Sequence, residues 1–423
     1  MSSNKKIIHV LMILMALFLS LMVYLTYFQL FKAPKLAESG QNPRTALKEQ
    51  SIKRGDIVSA DGEKLAYSEF DGDRQIRNYP YGSLYSHVIG YSSQTYGKSM
   101  LENSYNGYIM GTGFSNQIFN LKQYISGEKK EGANLTLTID HKLQKKAAEL
   151  MNGKNGAVVA INPKTGATLA LLSNPSYDTN EKSLKENWAK LAESEDSVFL
   201  ARATSGLYAP GSVFKTVTAA SAVENRLDDM KFEDNGSVYV DSHEFKNYGG
   251  KKHGNIDIYQ GFAVSSNVVF VTLADKLGYS KLSATAKNFM IGEKINYDVP
   301  LQTGQILKDN KKTNVAAVGM GQGDLLVTPM NMALVASAIA NDGQMMAPYL
   351  VESADLSNGY NVYAHKSEVL SQATDKETAE KVKKMMEKCV ESGTGTSASV
   401  SGVKVAGKTG TAENTGDDHA WFI

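Results

Sequence analysis

The stretch Tyr208-Ala209-Pro210-Gly211-Ser212-Val213-Phe214-Lys215 sets a serine and a lysine three residues apart, where a loop gives way to an amphipathic helix. A serine in the first turn of a helix lies near exposed N–H groups and the positive end of the helix dipole, which favours developing negative charge. Lys215 shares the helix face of Ser212. Taken alone, the pattern also fits a helix cap followed by a solvated lysine, so its meaning depends on the rest of the chain.

Two further motifs follow in order, Ser265-Ser266-Asn267 and Lys408-Thr409-Gly410. With Ser212 and Lys215 they supply a nucleophile, two candidate proton carriers, an amide that can hold a substrate and an anion-binding strand edge. Acyl transfer through a serine ester requires these groups. The sequence therefore predicts an enzyme.

Each motif depends on the others for its proposed chemistry. Lys215 accepts the serine proton only if it is neutral, and burial beside a second cation, for which Lys408 is the candidate, would lower its pKa. Ser265 and Asn267 lie where the apolar helix end Phe262-Ala263-Val264 meets a new helical run. Both side chains are therefore expected to face one cleft, although a simple helix cap also explains them.

The third motif lies within an alternating strand, where Gly410 would let a ligand approach the backbone closely. A bulge at the end of a strand explains the same glycine. In a strand beside the serine, Lys408 and Thr409 would bind a carboxylate. The N–H of Thr411 would then join that of Ser212 as an oxyanion hole for a tetrahedral intermediate.

Composition excludes several classes of protein. The 423 residues include 42% hydrophobic and 21% charged residues, which is ordinary for globular proteins. Because 45 Lys and Arg residues balance 44 Asp and Glu residues, the net charge gives no indication of nucleic-acid binding. One cysteine, Cys389, cannot form an internal disulfide, and no His or Cys spacing indicates a structural zinc site. We predict no metal and no cofactor.

The N-terminus predicts a membrane anchor. After Lys5-Lys6, the uncharged run from Ile7 to about Phe31 is long enough at ~1.5 Å per residue to cross a ~30 Å hydrocarbon core. A cleaved signal peptide is the alternative, but the small-residue cleavage pattern is missing near Gln29 to Ala33. The positive-inside rule then leaves residues 1–6 in the cytoplasm and everything after residue 31 outside the cell membrane.

Beyond residues 7–31 the chain is expected to form two domains. Residues 32–152 mix polar loops with short strands, including Ser86 to Tyr91, and predict a spacer or docking domain. Asp140 is expected to cap a helix with an apolar stripe of Leu143, Ala147, Leu150 and Met151.

Residues 153–423 are predicted to be an α+β domain. It begins with a β-hairpin, Gly156–Asn162 and Ala167–Ser173, and continues with a mostly helical pattern over about 181–398. Strand character returns at Val403–Thr411 and Ala420–Ile423. Strands at both ends of a helical middle favour one mixed sheet with a helical subdomain.

Five stretches together resemble the penicillin-binding proteins, specifically the monofunctional class B peptidoglycan transpeptidases. They are Tyr208 to Lys215, Gly319-Met320-Gly321-Gln322-Gly323, Lys408-Thr409-Gly410-Thr411-Ala412-Glu413, Asn42-Pro43-Arg44-Thr45 and Arg54-Gly55-Asp56-Ile57. The resemblance covers nearly the whole chain. It implies an antiparallel sheet with helices on both faces, preceded by a pedestal or dimerisation-like domain.

The resemblance also implies a role for each motif residue. Ser212 would be the acylated nucleophile, Lys215 its proton acceptor and Ser265 a proton relay to the leaving group. Asn267 would hold the substrate amide. Lys408 and Thr409, beside Gly410, would bind the terminal carboxylate of a stem peptide ending in D-Ala-D-Ala. β-Lactams would trap the acyl-enzyme, and a membrane glycosyltransferase of the shape, elongation, division and sporulation (SEDS) family would be the partner.

Two departures from the family pattern stand out. The middle residue of the second motif is Ser266 rather than Asp, which is common in class B enzymes and argues against a class A β-lactamase. Family members also continue past Ala420–Ile423 with a strand and a closing helix. We expect the sheet to have a gap at this place. We also expect the 423-residue form to be labelled by fluorescent penicillin less well than a natural-length version. Equal labelling would refute this expectation.

Two alternatives remain open. A carboxypeptidase or β-lactamase would use the same scaffold, and turnover of a chromogenic cephalosporin would favour it. A sensor or scaffold that binds β-lactams without catalysis is the second, and complementation by a Ser212→Ala variant would favour that one.

Overall fold

The computed structural model describes residues 2–28, 52–72, 74–111, 131–414 and 416–423. Its helices are α1 (Ser2–Tyr27), α2 (Met100–Ser104), α3 (Asn106–Ile109), α4 (His141–Met151), α5 (Glu181–Ala192), α6 (Arg202–Ser205), α7 (Lys215–Glu224), α8 (Ile258–Ala263), α9 (Asn267–Asn288), α10 (Lys312–Gly319), α11 (Pro329–Ala340) and α12 (Lys376–Ser392). Short 3₁₀ turns occur at Gly82–Tyr85, Gly211–Phe214, Tyr248–Gly250 and Thr396–Ala398.

Eighteen strands are present in the described residues. They are β1 (Ile57–Val58), β2 (Lys64–Asp71), β3 (Arg74–Asn78), β4 (Ser92–Ser93), β5 (Gly97–Lys98), β6 (Asn134–Leu137), β7 (Gly156–Ile161), β8 (Thr168–Asn174), β9 (Lys231–Asp234), β10 (Ser237–Val240), β11 (His243–Lys246), β12 (Gly254–Asp257), β13 (Gln344–Met346), β14 (Val351–Asp355), β15 (Asn361–Ala364), β16 (Val369–Gln372), β17 (Thr409–Ala412) and β18 (His419–Phe422). This mixture of helices and strands confirms the α+β prediction.

Helix α1 exposes its apolar residues on all sides. Its segment Ile7–Tyr27 has a mean hydropathy of 2.5 and buries none of its surface against the rest of the protein. A helix that is apolar all round and unburied fits a membrane span. The remainder of the predicted span, residues 29–31, and the stretch Asn42–Thr45 lie outside the described residues.

The largest sheet has six strands in the order β15-β14-β6-β1-β2-β3. It combines strands from both sides of the predicted boundary at residue 152, which sequence periodicity did not anticipate. Asp298 strengthens the same junction, because its carboxylate accepts hydrogen bonds from the Tyr105 hydroxyl, from the N–H of Leu350 and, at 3.0 Å, from that of Val351. The division into residues 32–152 and 153–423 stays a prediction.

A buried ion network lies in the N-terminal part. Glu102 is fully buried and binds two guanidinium groups, those of Arg54 and of Arg77, the latter at 2.7 Å. The Tyr79 hydroxyl donates to the same carboxylate at 3.1 Å. Arg54 belongs to the stretch that resembles a pedestal motif, so that motif has a clear structural function in this chain.

Helix α7, which follows the Ser212 turn, is almost entirely buried. Every residue from Lys215 to Val223 is buried, and the helix packs against α9 and α12. The predicted amphipathic pattern is therefore wrong in one respect, because neighbouring helices cover all its faces. Helix α9 starts at Asn267 and continues to Asn288 with an irregularity at Gly278, where φ is +69°.

Three local predictions were wrong. Ser86 to Tyr91 forms turns rather than a strand, since its N–H groups bond back to Tyr85 and its apolar side chains are buried without strand pairing. Helix α4, capped by Asp140 as predicted, buries His141, Gln144 and Ala147, while Leu143 and Leu150 are exposed. The middle region contains eight strands, β9 to β16, and is not mostly helical.

The predicted hairpin of β7 and β8 is present, and β17 pairs with β18 in the same antiparallel manner. In the described part of the chain these hairpins are two separate sheets rather than one. A groove bordered by β7, β18 and α11 lies between them. The Ser212 motif lies on the turn before α7, and the third motif enters β17 from Lys408.

Candidate active site

Three elements bring the motif residues together. The turn Gly211–Phe214 enters α7, the junction of α8 and α9 carries Ser265 to Asn267, and β17 packs on the turn. The indole N–H of Trp421, on β18, donates to the carbonyl of Ala209 at 3.1 Å and fixes the β-hairpin to the stretch before the serine.

Close backbone packing positions the Ser212 turn. Gly211 has φ +56°, and its N–H donates to the carbonyl of Gly321 at 2.9 Å. A Cβ on Gly321 would lie 1.7 Å from the Gly211 oxygen, so only glycine fits at this contact. Part of the Gly319–Gly323 stretch therefore supports the serine turn from behind, while Ser212 itself remains half-buried.

Lys215 is fully buried and points toward the second motif. Its Nζ lies 2.7 Å from the Ser265 carbonyl oxygen, 2.7 Å from Asn267 Oδ1 and 3.3 Å from Ser265 Oγ. The ring of Phe270 lies 5.6 Å away on another side. In the described residues, these hydrogen bonds hold the amine, and none joins it to the Ser212 hydroxyl.

Ser265 occupies a strained position between the two lysines. Its φ is +60°, a left-handed conformation that is unfavourable for a serine and is often found at functional sites. Lys408 Nζ lies 2.9 Å from its Oγ, which also contacts Lys215. One hydroxyl therefore bridges two buried amines.

The third motif presents a cation and a hydroxyl. Lys408 is fully buried, and its Nζ also donates to the Thr409 carbonyl at 2.9 Å. The Thr409 hydroxyl lies 2.5 Å from that of Thr394, a residue that the sequence did not single out. A Cβ on Gly410 would meet Val213 at 2.9 Å, so this glycine allows β17 to pack on the serine turn.

The ladder between β17 and β18 fixes the direction of the Thr411 amide. Lys408 and Ile423 exchange both backbone hydrogen bonds, and Gly410 pairs with Trp421 two residues on. Because such bonded pairs alternate in an antiparallel ladder, the N–H of Thr411 points away from β18. The carbonyl oxygen of Thr411 packs against Gly211, and a Cβ on Gly211 would lie only 2.4 Å from it. This edge of β17 therefore faces the Ser212 turn.

Burial dominates the electrostatics of both lysines. Burial, together with the nearby cation Lys408, lowers the pKa of Lys215 well below its ordinary value, while the Asp234 carboxylate opposes this. Burial lowers the pKa of Lys408 to about 8. A buried pair of amines that repel each other favours a neutral form of one of them, as a proton acceptor needs.

Sequence reasoning missed the residues behind these motifs. Asp234 and Asn247, from the segment predicted to be mostly helical, bind Ser266 and the N–H of Asn267, respectively. The only signal was the Asp234-Asn235-Gly236 sequence, which favours a turn. No group of three or more His, Cys, Asp or Glu side chains among the described residues is arranged to hold a metal ion.

Comparison with known proteins identifies the class. The family model of the penicillin-binding protein transpeptidase domain matches residues 156–423, and that of the penicillin-binding protein A dimerisation domain matches residues 54–135. The chain belongs to the penicillin-binding protein transpeptidase family. A relative from Mycolicibacterium smegmatis, named peptidoglycan D,D-transpeptidase PbpA, is 33% identical over 99% of this chain and 90% of its own length.

Solved structures agree with this assignment. Penicillin-binding protein A from M. tuberculosis, as an imipenem acyl-enzyme complex, superposes with a TM-score of 0.85 at 29% identity, covering 89% of this chain and 91% of that one. The D,D-transpeptidase domain of a peptidoglycan glycosyltransferase from Eggerthella lenta gives a TM-score of 0.80 at 33% identity, covering 88% and 89%. The family resemblance inferred from the motifs is confirmed.

Proposed function

We propose that this chain is a peptidoglycan D,D-transpeptidase that works through an acyl-enzyme on Ser212 and is inhibited by β-lactams. The observation that carries the proposal is the bridge of Lys215, Ser265 and Lys408 beside the Ser212 turn. Relatives named D,D-transpeptidase and neighbours solved as β-lactam acyl-enzymes support it.

The hydrogen bonds of Lys215 suit a neutral amine. A neutral amine has two N–H donors and one lone pair. The two short bonds go to atoms that only accept, the Ser265 carbonyl and Asn267 Oδ1, whereas the longer contact goes to a hydroxyl that can donate. The lone pair of Lys215 is thus left on the side of the Ser265 hydroxyl, away from the two short bonds, as a general base requires.

The reaction then proceeds in two halves. Ser212 Oγ attacks the carbonyl of the penultimate D-Ala as its proton passes to Lys215, and the N–H groups of Ser212 and Thr411 stabilise the oxyanion. The C–N bond breaks as Ser265 relays a proton to the departing D-Ala amine. An amine from a neighbouring stem peptide next attacks the ester, restores the Ser212 hydroxyl and leaves a cross-link.

The remaining residues bind the substrate. Lys408 and the Thr409 hydroxyl bind the terminal carboxylate, at the place where Gly410 lets β17 pack on the serine turn. Asn267 holds the substrate amide through its side chain, whose Nδ2 already donates to the Lys246 carbonyl at 2.7 Å. The edge of β17 that faces away from β18 offers the backbone groups that an extended peptide would pair with.

An exchange assay tests this function. The protein is incubated with a peptide ending in D-Ala-D-Ala and an excess of a D-amino acid acceptor, and mass spectrometry separates exchanged from hydrolysed product. We expect exchange to exceed hydrolysis, and Ser212→Ala to abolish both, while Ser205→Ala, which alters a half-buried serine on α6, leaves both intact. Predominant hydrolysis would support a carboxypeptidase, and persistent exchange in Ser212→Ala would discard the assignment.

We also propose the cellular arrangement that the family resemblance implies. Residues 1–6 lie in the cytoplasm, residues 7–31 span the membrane, and a pedestal (32–152) carries the catalytic domain (153–423) outside the membrane. The exposed apolar surface of α1 supports the anchor. Labelling of intact cells by a penicillin that does not cross the membrane tests the orientation; label that appears only after lysis would contradict it.

A SEDS-family membrane glycosyltransferase is the proposed partner, contacted through α1 and the pedestal. Co-purification of such an enzyme with the full chain, and its loss when an unrelated span replaces α1, would support this contact. Equal recovery with both spans would contradict the role of α1.

A further inference from the structure

Asp234, at the end of β9, is a fully buried acid that the proposed mechanism does not use. Its carboxylate accepts hydrogen bonds from Ser266 Oγ at 2.7 Å, from Asn247 Nδ2 at 2.7 and 2.9 Å, and from the N–H of Gly236 at 3.0 Å. His253 Nδ1 lies 3.2 Å away. Burying a carboxylate is costly unless it is paired and hydrogen-bonded, and these four partners meet that need for Asp234.

One of these contacts leads directly to the second motif. Ser266 donates to Asp234 and accepts from the N–H of Val269 at 3.1 Å, so it caps α9 while bound to the acid. Ser265, the next residue toward the cleft, is the one held at φ +60°. Asp234 therefore fixes the residue that supports the strained conformation of Ser265.

A second route passes through Asn247. Its Nδ2 donates to Asp234, while its Oδ1 accepts from the N–H of Asn267 at 2.8 Å and of Val268 at 3.1 Å. The Asn267 side chain in turn binds Lys215. An unbroken series of hydrogen bonds thus joins the acid to the amine of the proposed general base.

The same acid is part of the electrostatic field around Lys215. The charged and titratable groups near this amine are Lys408 and Asp234, with His253 beyond the acid and the Cys389 thiol beyond Lys408. Lys408 disfavours the protonated form of Lys215, and Asp234 favours it. Asp234 thereby limits how far the proton affinity of the base falls.

We propose that Asp234 is a positioning residue for acylation, whose buried carboxylate orients Ser265 and Asn267 around the amine of Lys215. The proposal rests on the proposed function, because it assumes that Lys215 accepts the Ser212 proton. The proposal also accounts for Ser266, the serine that stands in place of Asp in the middle of the second motif. The carboxylate that position 266 lacks is supplied from β9, a separate strand.

The test is the pH dependence of acylation by a fluorescent penicillin. Asp234→Asn removes the charge with little change in size, so Lys215 should lose its proton more readily. The rising limb of the plot of acylation rate against pH should move to lower pH by about half a unit or more. Glu233→Gln is the matched control, since it removes one charge from the exposed neighbour on the same strand and should leave the limb in place.

A second pair of variants tests the buried charge at a neighbouring position, independently of the Asp234 side chain. Asp234→Asn with Ser266→Asp returns the carboxylate to the same hydrogen-bonded spot, while Asp234→Asn with Ser266→Asn leaves it neutral; Asp and Asn both cap helices well. The charged double variant should have its rising limb at higher pH than the neutral one. Circular dichroism and a cooperative thermal transition establish that each variant is folded.

The outcomes separate this inference from the proposed function. A rising limb that stays at the wild-type pH in folded Asp234→Asn, or that coincides in the two double variants, would overturn the inference. If the wild type is not acylated on Ser212, the proposed function fails instead. Acylation on Ser212 with an unshifted limb removes only the positioning role of Asp234.

Discussion

Lys408 has a buried amine whose charge depends on pH near neutrality. Burial lowers its pKa to about 8, so the proposed carboxylate-binding cation is lost as the pH rises through that value. We expect the rate of acylation by benzylpenicillin to fall above about pH 8. Stopped-flow measurement from pH 6 to about 10 checks this, and a rate that stays level through pH 9 would contradict it.

A substitution of Ser265 can distinguish a catalytic effect from a structural one. Ser265→Gly removes the hydroxyl that bridges the two lysines and also relieves the left-handed φ of +60°. We expect the melting temperature to be unchanged or higher while acylation slows about 100-fold, the usual size of a lost proton relay. Acylation within about threefold of the wild type would exclude this hydroxyl from the proposed mechanism.

At this scale, the sequence predicted which motif residues would meet but not what supports them. Lys215, Ser265, Asn267 and Lys408 do converge. Asp234 escaped notice because its contacts with position 266 join residues far apart in sequence, and no local spacing reports such a contact.

At the scale of elements, the contact between Gly211 and Gly321 holds the serine turn. Gly321→Ala would place a Cβ 1.7 Å from the Gly211 oxygen at a residue with φ +94°. We expect the free energy of unfolding to fall by about 3 kcal/mol, with slower acylation as well. Chemical denaturation and penicillin labelling measure the two effects.

Gly402→Ala is the control for that variant, because Gly402 has a similar φ of +77° but open space around its Cβ position. It should lose only about 1 kcal/mol and keep full acylation. Equal losses in the two variants would mean that backbone strain alone, rather than the contact with Gly211, explains the result.

The type of an element was predictable where its hydrophobic pattern and the residues that bound it indicated the same structure. The β7–β8 hairpin appears as expected, since the turn residues Pro163 to Gly166 separate its two apolar strands. The face of α4 was not predictable, because Gln144 is buried by two hydrogen bonds to the backbone of Leu171, which outweigh the apolar stripe. Strand β14 was missed because its partner β6 lies in another predicted domain.

For the whole molecule, the ion network of Glu102 is expected to stabilise the N-terminal part. Glu102→Gln would leave the guanidiniums of Arg54 and Arg77 buried without a counter-charge, at a cost of about 3–5 kcal/mol. Glu69→Gln, at an exposed residue of β2, should cost almost nothing. A melting temperature that falls equally in both variants would contradict a stabilising role for this network.

The same network predicts acid sensitivity. Although burial opposes it, the charges of Arg54 and Arg77 lower the pKa of Glu102 from 4.5 to about 2. A lowered pKa in the folded state means that the stabilisation is complete above about pH 4.5 and is lost as the pH falls toward 2. Denaturant melts between pH 6 and about 3 should show this loss in the wild type and less of it in Glu102→Gln; parallel curves would contradict it.

The most direct test of the central claim is to locate the acyl group by mass spectrometry. The protein is treated with benzylpenicillin and digested, and the modified peptide is sequenced. The proposed mechanism predicts a single adduct on Ser212, absent from Ser212→Ala and present in Ser205→Ala. An adduct on another residue, or one that persists in Ser212→Ala, would contradict the assignment of Ser212 as the nucleophile.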